Sequence, residues 1–264
     1  MITQTFLMQF SSLGIALGVI LIMLLFFFLG ERLRKIFITR NKNFNAKSFG
    51  AAEGALLGLL ALLLSFTFNM SSSRHDTRIK VIVAEANNIG TAVLRADLYP
   101  DSIRKAFRHD FKAYVESRIE FFQAGIDTAK IYRSLATSNA IQQSLWNRAA
   151  TLGQYAYNFH RTSQMVPALN DMIDIVTTRN AADIDKVPEL IIYVLFLLCF
   201  TSAFMLGYDA GKKADWVITV GFVLMISMTI YLIIDLDRPR RGIITMTNMN
   251  KQIVNLRTMF GPDE

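Results

Sequence analysis

The chain has 264 residues, 52% hydrophobic and 19% charged, with a formal net charge of +7 and one cysteine. Apolar content above that of an ordinary soluble domain, alongside this much charge, must be gathered into blocks, as in a polytopic membrane protein with a soluble part. The lone Cys199 excludes an intramolecular disulfide and a cysteine-based zinc site, and the basic residues cluster beside apolar runs, which points to a lipid bilayer as partner and away from nucleic acid.

Residues 1–48 read as a first transmembrane helix and a basic loop. No charged side chain precedes Glu31, and Leu13 to Leu29 is solidly apolar; at ~1.5 Å rise per residue this run nearly spans the hydrocarbon. The charged stretch follows the run instead of preceding it, so the segment is expected to be retained and not cleaved as a signal peptide.

Residues 49–98 read as a second transmembrane helix extended into the soluble region, because FGAAEGALLGLLALLLSFTF passes directly into NMSSSRHDTRIKVIVAEANNI. Gly50, Gly54 and Gly58 fall four apart on one side, a spacing that lets helix backbones approach closely in lipid, so Gly50 and Gly54 are assigned to helix packing. Glu53 carries two readings: a functional intramembrane carboxylate, or an interfacial group that reaches water or pairs with Lys47. Further on, Ile79, Ile82, Ala86, Ile89, Val93 and Ala96 alternate three and four apart and predict a packed face. Glu85, Asn88 and Arg95 fall on other faces, open to polar contacts between helices or subunits.

Residues 99–187 read as a helical soluble domain. Pro100 and Asp101 start a helix carrying Phe107, Phe111, Tyr114, Arg118 and Phe121 at helical spacing and fading near Gly125. A short piece is expected over Ile131 to Leu135, then a longer helix capped by Ser138 or Asn139, with Ile141, Leu145, Ala149, Leu152, Ala156 and Phe159 as its buried stripe. Pro167 is expected to break the pattern before a short helix over Leu169 to Val176. Residues 188–234 read as a transmembrane hairpin and residues 235–264 as a basic C-terminal tail. The expected fold class is all-α: four transmembrane helices, a helical soluble insert between the second and third spans, and a second span that continues as a long helix. Charge counting points both ways on topology. Six basic residues in the first loop with Lys212 and Lys213 place the domain outside, whereas Arg74, Arg78, Lys80, Arg238, Arg240 and Arg241 place it inside.

The three histidines, His75, His109 and His160, are scattered and lack a metal-ligand partner at helical spacing. No phosphate loop, GxSxG or HExxH string occurs, so no enzyme activity, metal or cofactor is expected. If several copies set the second helix about a common axis, Leu62 and Phe66, one turn apart, form an apolar constriction that gates by dewetting, with Arg74 and Arg78 beyond it enriching anions. The same periodicity fits lipid-facing or packing residues equally well.

The segment GAAEGALLGLLALLLSFTF followed by Arg74 and Arg78, the string EANNIGTAVLRADL and the string LDRPRRG after the last span resemble the bacterial bestrophin-like family of membrane proteins, over most of the chain. Glu85 and Asn87, and the Asp237, Pro239, Gly242 pattern, fall in matching places. The more distant resemblance to bestrophins implies a pentameric, anion-selective channel. In it Arg74 matches the arginine beyond the pore neck, Phe66 the last neck position, Leu62 the one before and Gly58 the first, where glycine departs from the bulky pattern. The acidic calcium-binding cluster expected after the last span is missing, which argues against calcium gating. The resemblance further implies a homo-oligomer in a bacterial inner membrane, a permeant anion such as chloride, and cytoplasmic termini and helical domain. The function expected is an oligomeric membrane ion channel, anion-conducting and gated at an apolar neck on the second span. The alternative is a non-conducting membrane sensor or scaffold that binds a protein partner through the helical domain.

Overall fold

The computed structural model describes residues 9–40, 50–210 and 216–261, which form eight α-helices and two short 3-10 turns without any strand. The chain divides into two compact units, Met1–Arg74 with Lys186–Arg238 and His75–Asp185 with Pro239–Glu264.

In the first unit the apolar runs become helices because hydrocarbon offers no hydrogen-bond partner to the backbone, which must satisfy itself. These are α1 (Ser12–Arg40), the apolar half of α2 (Gly50–Ala96), α6 (Glu189–Ala210) and α7 (Trp216–Leu236), and all four are long and apolar enough to cross a membrane. Met23 of α1, Leu195 and Cys199 of α6, and Ile226 and Ile230 of α7 build the shared core. The backbones of α1 and α6 approach closely. A Cβ at Gly30 would lie 2.2 Å from the Phe204 carbonyl oxygen, and one at Gly207 would lie 2.0 Å from that of Phe27. Arg34 Nη1 donates to the carbonyls of Tyr208 at 2.7 Å and Asp209 at 2.9 Å, satisfying acceptors that the end of α6 leaves open.

The second unit holds the polar half of α2 with α3 (Asp101–Gln123), α4 (Thr128–Gly153), α5 (Phe159–Ile184) and α8 (Thr247–Asn255). The predicted α2 stripe is its spine: Ile89, Val93 and Ala96 are fully buried against Phe107, Phe111 and Tyr114 of α3, Leu145 of α4, Leu169 and Met172 of α5, and Ile253 of α8. At the other end of the predicted α4 stripe, Ala156 and Phe159 are exposed.

Three further expectations fail here. Residues 128–153 form one helix and not two. Asp127 caps it by accepting the Lys130 N–H at 3.1 Å, while Ser138 lies inside, its hydroxyl directed to the Ser134 carbonyl at 2.8 Å and to the Ser117 hydroxyl at 2.8 Å. Pro167 sits within α5 without ending it. A mid-helix proline costs about 3 kcal/mol by clash and loss of a donor, but the Ser163 carbonyl it orphans is at an exposed residue open to water. The buried side chains of Met165, Leu169 and Met172 offset the rest at roughly 1.5–3 kcal/mol each. The polar tail also hides an amphipathic helix, α8, whose Asn250 and Ile253 are buried.

Candidate functional site

In the first unit α2 touches its own chain along a narrow seam of Leu60, Thr67 and Ser71, all buried. The opposite side carries Gly54, Gly58, Leu62 and Phe66 at four-residue steps. Leu62 is 52% and Phe66 59% exposed, and a Cβ built on Gly54 or Gly58 meets nothing within 4 Å. The close packing read from the glycine stripe is therefore absent within the chain at these two positions; the glycines that bring backbones together are Gly30 and Gly207. Only 11% of the most apolar window of α2 is buried, against 28% for α1, 39% for α7 and 33% for the stretch containing α6. A span this uncovered faces lipid or another copy. Gly50 opens the helix at a φ of 31°. Glu53 is half-buried and neighbours Asp209 at the end of α6; Lys47, its expected partner, and Lys212 and Lys213 lie outside the described residues.

In the second unit Arg78 departs from the expected anion-attracting role. It is 2% exposed, and its Nε and Nη2 donate to the carbonyls of Ala182 at 2.9 Å and Asp185 at 2.6 Å. A cation there satisfies the C-terminal carbonyls of α5 and complements its dipole. Arg74 is half-buried on α2.

About two turns beyond Arg78, Glu85 occupies the buried seam of α2 and organises a charged cluster. Its Oε1 accepts from Arg118 Nε of α3 at 2.6 Å, and its Oε2 accepts from Arg179 Nη1 of α5. Glu85 and Arg118 are fully buried. Arg179 Nη2 donates onward to Asn250 Oδ1 of α8 at 2.8 Å. Burial alone would raise the Glu85 carboxyl, but the Arg118 and Arg179 charges and their hydrogen bonds outweigh it and hold the group below the usual carboxylate range. Burial also pushes the neighbouring Tyr114 phenol up, and Gln142 Nε2 donates to its oxygen at 3.0 Å.

Arg240 completes the cluster from the far end of the sequence. Its Nη1 donates to the carbonyls of Phe121 at 3.0 Å and Gly125 at 3.3 Å, and its Nη2 lies 3.6 Å from the Asp183 carboxylate. The guanidinium carbons of Arg240 and Arg118 stand 4.4 and 4.5 Å from the Phe121 ring centroid, with that of Arg179 at 5.6 Å. The electron-rich faces of one phenyl thus help three cations share a confined space. Burial lowers Arg240 from its ordinary value; Asp183 pulls it back up, and Arg179 and Arg118 push it down.

Arg240 lies within the Asp237-x-Pro239-x-x-Gly242 string. In the first unit Asp237 accepts the Val187 N–H with both oxygens at 3.2 Å, and Gly242 turns the chain at a φ of 100°, a conformation that side-chain-bearing residues rarely adopt. Asn87 of the other motif is exposed; its neighbour Asn88 makes the link between helices, donating from Nδ2 to the Asp171 carbonyl at 2.9 Å. Sequence reasoning placed Arg118 in a core stripe and Glu85 on a polar face without joining them. The available signal was an arginine recurring inside an aromatic stripe, since a buried cation demands a buried anion. Arg179 and Arg240 gave no such signal. Among the described residues, no three His, Cys, Asp or Glu side chains gather to hold a metal.

The Bestrophin-like domain family matches residues 55–248. No curated protein sequence matches the chain. Among solved structures, a point variant of a bacterial bestrophin homolog from Klebsiella pneumoniae is similar, with a TM-score of 0.69 at 16% identity, covering 92% of this chain and 96% of that one. A point variant described as a membrane protein gives a TM-score of 0.69 at 18% identity over 91% of this chain and 98% of its own. A second variant of the Klebsiella pneumoniae homolog gives 0.64 at 16% identity, covering 91% and 99%. At these identities the likeness is one of fold.

Proposed function

Because the chain belongs to the Bestrophin-like family, we propose that it is an oligomeric ion channel of a bacterial inner membrane, in which α2 of each copy lines an axial pore. The observation that carries this reading is how little of the apolar half of α2 its own chain covers, 11% of the window. Gly58, Leu62 and Phe66 stand on its open side. Set around an axis, Leu62 and Phe66 form apolar rings that empty of water when narrow, and Gly58 leaves a wider section beside them. Anion conduction, with chloride as the permeant ion, is favoured by the formal charge of +7 and by Arg74 on the same helix. A ring of five copies follows the family resemblance, as do cytoplasmic termini and a cytoplasmic second unit.

Planar-bilayer recording of the purified chain tests this. Conductance under a chloride gradient is expected, with Leu62→Ala and Phe66→Ala each raising the open-state fraction or the leak. Single cysteines at residue 66 in a Cys199→Ser background should cross-link between copies. A silent bilayer together with a monomer that does not cross-link refutes the channel and leaves the scaffold reading, in which the second unit binds a protein partner.

A further inference from the structure

Within the second unit the arginine cluster borders a cavity of about 150 Å³. At about 30 Å³ per water-sized group it has room for roughly five such groups. One part of the wall is polar: Arg179, Arg240, Asn250, Thr245 and Thr247. Another is apolar: Ile82, Phe122, Pro239 and Met246. Asp183 also lines it, with its carboxylate turned toward Arg240 at 3.6 Å.

Charge and hydrogen bonding both leave something over. Among the described residues Arg118, Arg179 and Arg240 pair with two carboxylates, Glu85 and Asp183, so the cluster holds an excess of one positive charge. Of the cluster, Arg179 lines the cavity while 4% exposed, and among the described residues its Nε has no hydrogen-bond partner. A buried guanidinium in this state is expected to recruit a hydrogen-bonding anion. A divalent anion would overshoot the charge and meet Asp183. A spherical halide would use neither the planar guanidinium fork nor the apolar wall.

We propose that this cavity binds a small monocarboxylate, seated with its oxygens on the Arg179 and Arg240 guanidinium groups and the Thr247 hydroxyl and with a short apolar tail against Phe122 and Met246. The carboxylate restores charge balance, and the tail displaces water from the apolar side. Binding does not depend on whether the chain conducts, so the site and the channel reading stand or fall separately.

The test is the thermal midpoint of the full chain in detergent micelles, titrated with sodium propionate, sodium chloride or sodium sulfate at matched ionic strength. Propionate is expected to raise the midpoint in a saturable way, as a ligand of the folded state must, and the inorganic salts are not. Arg240→Gln should weaken the apparent propionate affinity about tenfold or more, by removing a charge-assisted contact. Thr247→Val, which leaves the arginine cluster intact, should weaken it about threefold. No propionate-specific rise in the wild type, an equal rise with sulfate or chloride, or a folded Thr247→Val protein that titrates as the wild type does would each overturn the assignment.

Discussion

Replacing Glu85 by Gln preserves the shape of the side chain and removes its charge from between two guanidinium groups. Glu85 and Arg118 have no exposed side-chain surface and Arg179 only 5%, with Arg118 Nε at 2.6 Å, so water cannot stand in for the lost anion. Breaking a buried pair from one side costs about 3–5 kcal/mol, because the remaining charge is left uncompensated. For a chain of this size each kcal/mol moves the unfolding midpoint by about 2–4 °C, which gives a fall of about 6–20 °C. The assay is far-UV circular dichroism of the detergent-purified chain heated at pH 7, wild type beside Glu85→Gln. The Arg118→Met substitution, harmful alone, should do less harm in the Glu85→Gln background, with a coupling of about 0.5–3 kcal/mol. A fall below about 2 °C, or strict additivity of the two substitutions, would refute the view that Glu85 holds the second unit together.

Three further outcomes are expected. Since Arg118 and Arg179 hold the Glu85 carboxyl below its ordinary value of 4.5, its stabilising contribution is complete above that value and is lost as pH falls through the lower folded value. The wild-type midpoint should decline in that acid range, and the Glu85→Gln midpoint should decline less; parallel curves would contradict this. Gly30→Ala should destabilise the first unit by about 1–3 kcal/mol or more, through overpacking, since its Cβ would lie 2.2 Å from a carbonyl oxygen, whereas Gly54→Ala has open space. The yield of monodisperse protein on gel filtration should drop for the first and not for the second. Gly242→Ala forces a side chain onto a φ of 100°, costing roughly 1–3 kcal/mol and loosening Arg240 from Phe121; faster proteolysis near residue 240 would report it.

The sequence alone determined the class of the fold and most of the helix positions, because both follow from local pattern. An apolar run of membrane length has no alternative to a helix in lipid, and the alternation from Ile82 to Ala96 identifies the buried side of α2 wherever its neighbours lie. Local rules misjudged α4 and α5, where Ser138 and Pro167 behave as helix breakers only if nothing holds them. Burial of Leu145, Ala149, Met165 and Leu169 does hold them. The glycine stripe of α2 was legible as a smooth surface, but a smooth surface has no label for its partner; within the chain the intimate backbone contact lies at Gly30 and Gly207.

The Glu85 cluster belongs wholly to the tertiary structure. Its charged members come from α2 (Glu85), α3 (Arg118), α5 (Arg179 and Asp183, one turn apart) and the segment after α7 (Arg240), and no spacing rule connects those four segments. Only folding removes Glu85, Arg118 and Arg179 from water, with Asp183 and Arg240 half-buried at their edge, and that removal makes three surface-type residues a buried network that must balance its own charge.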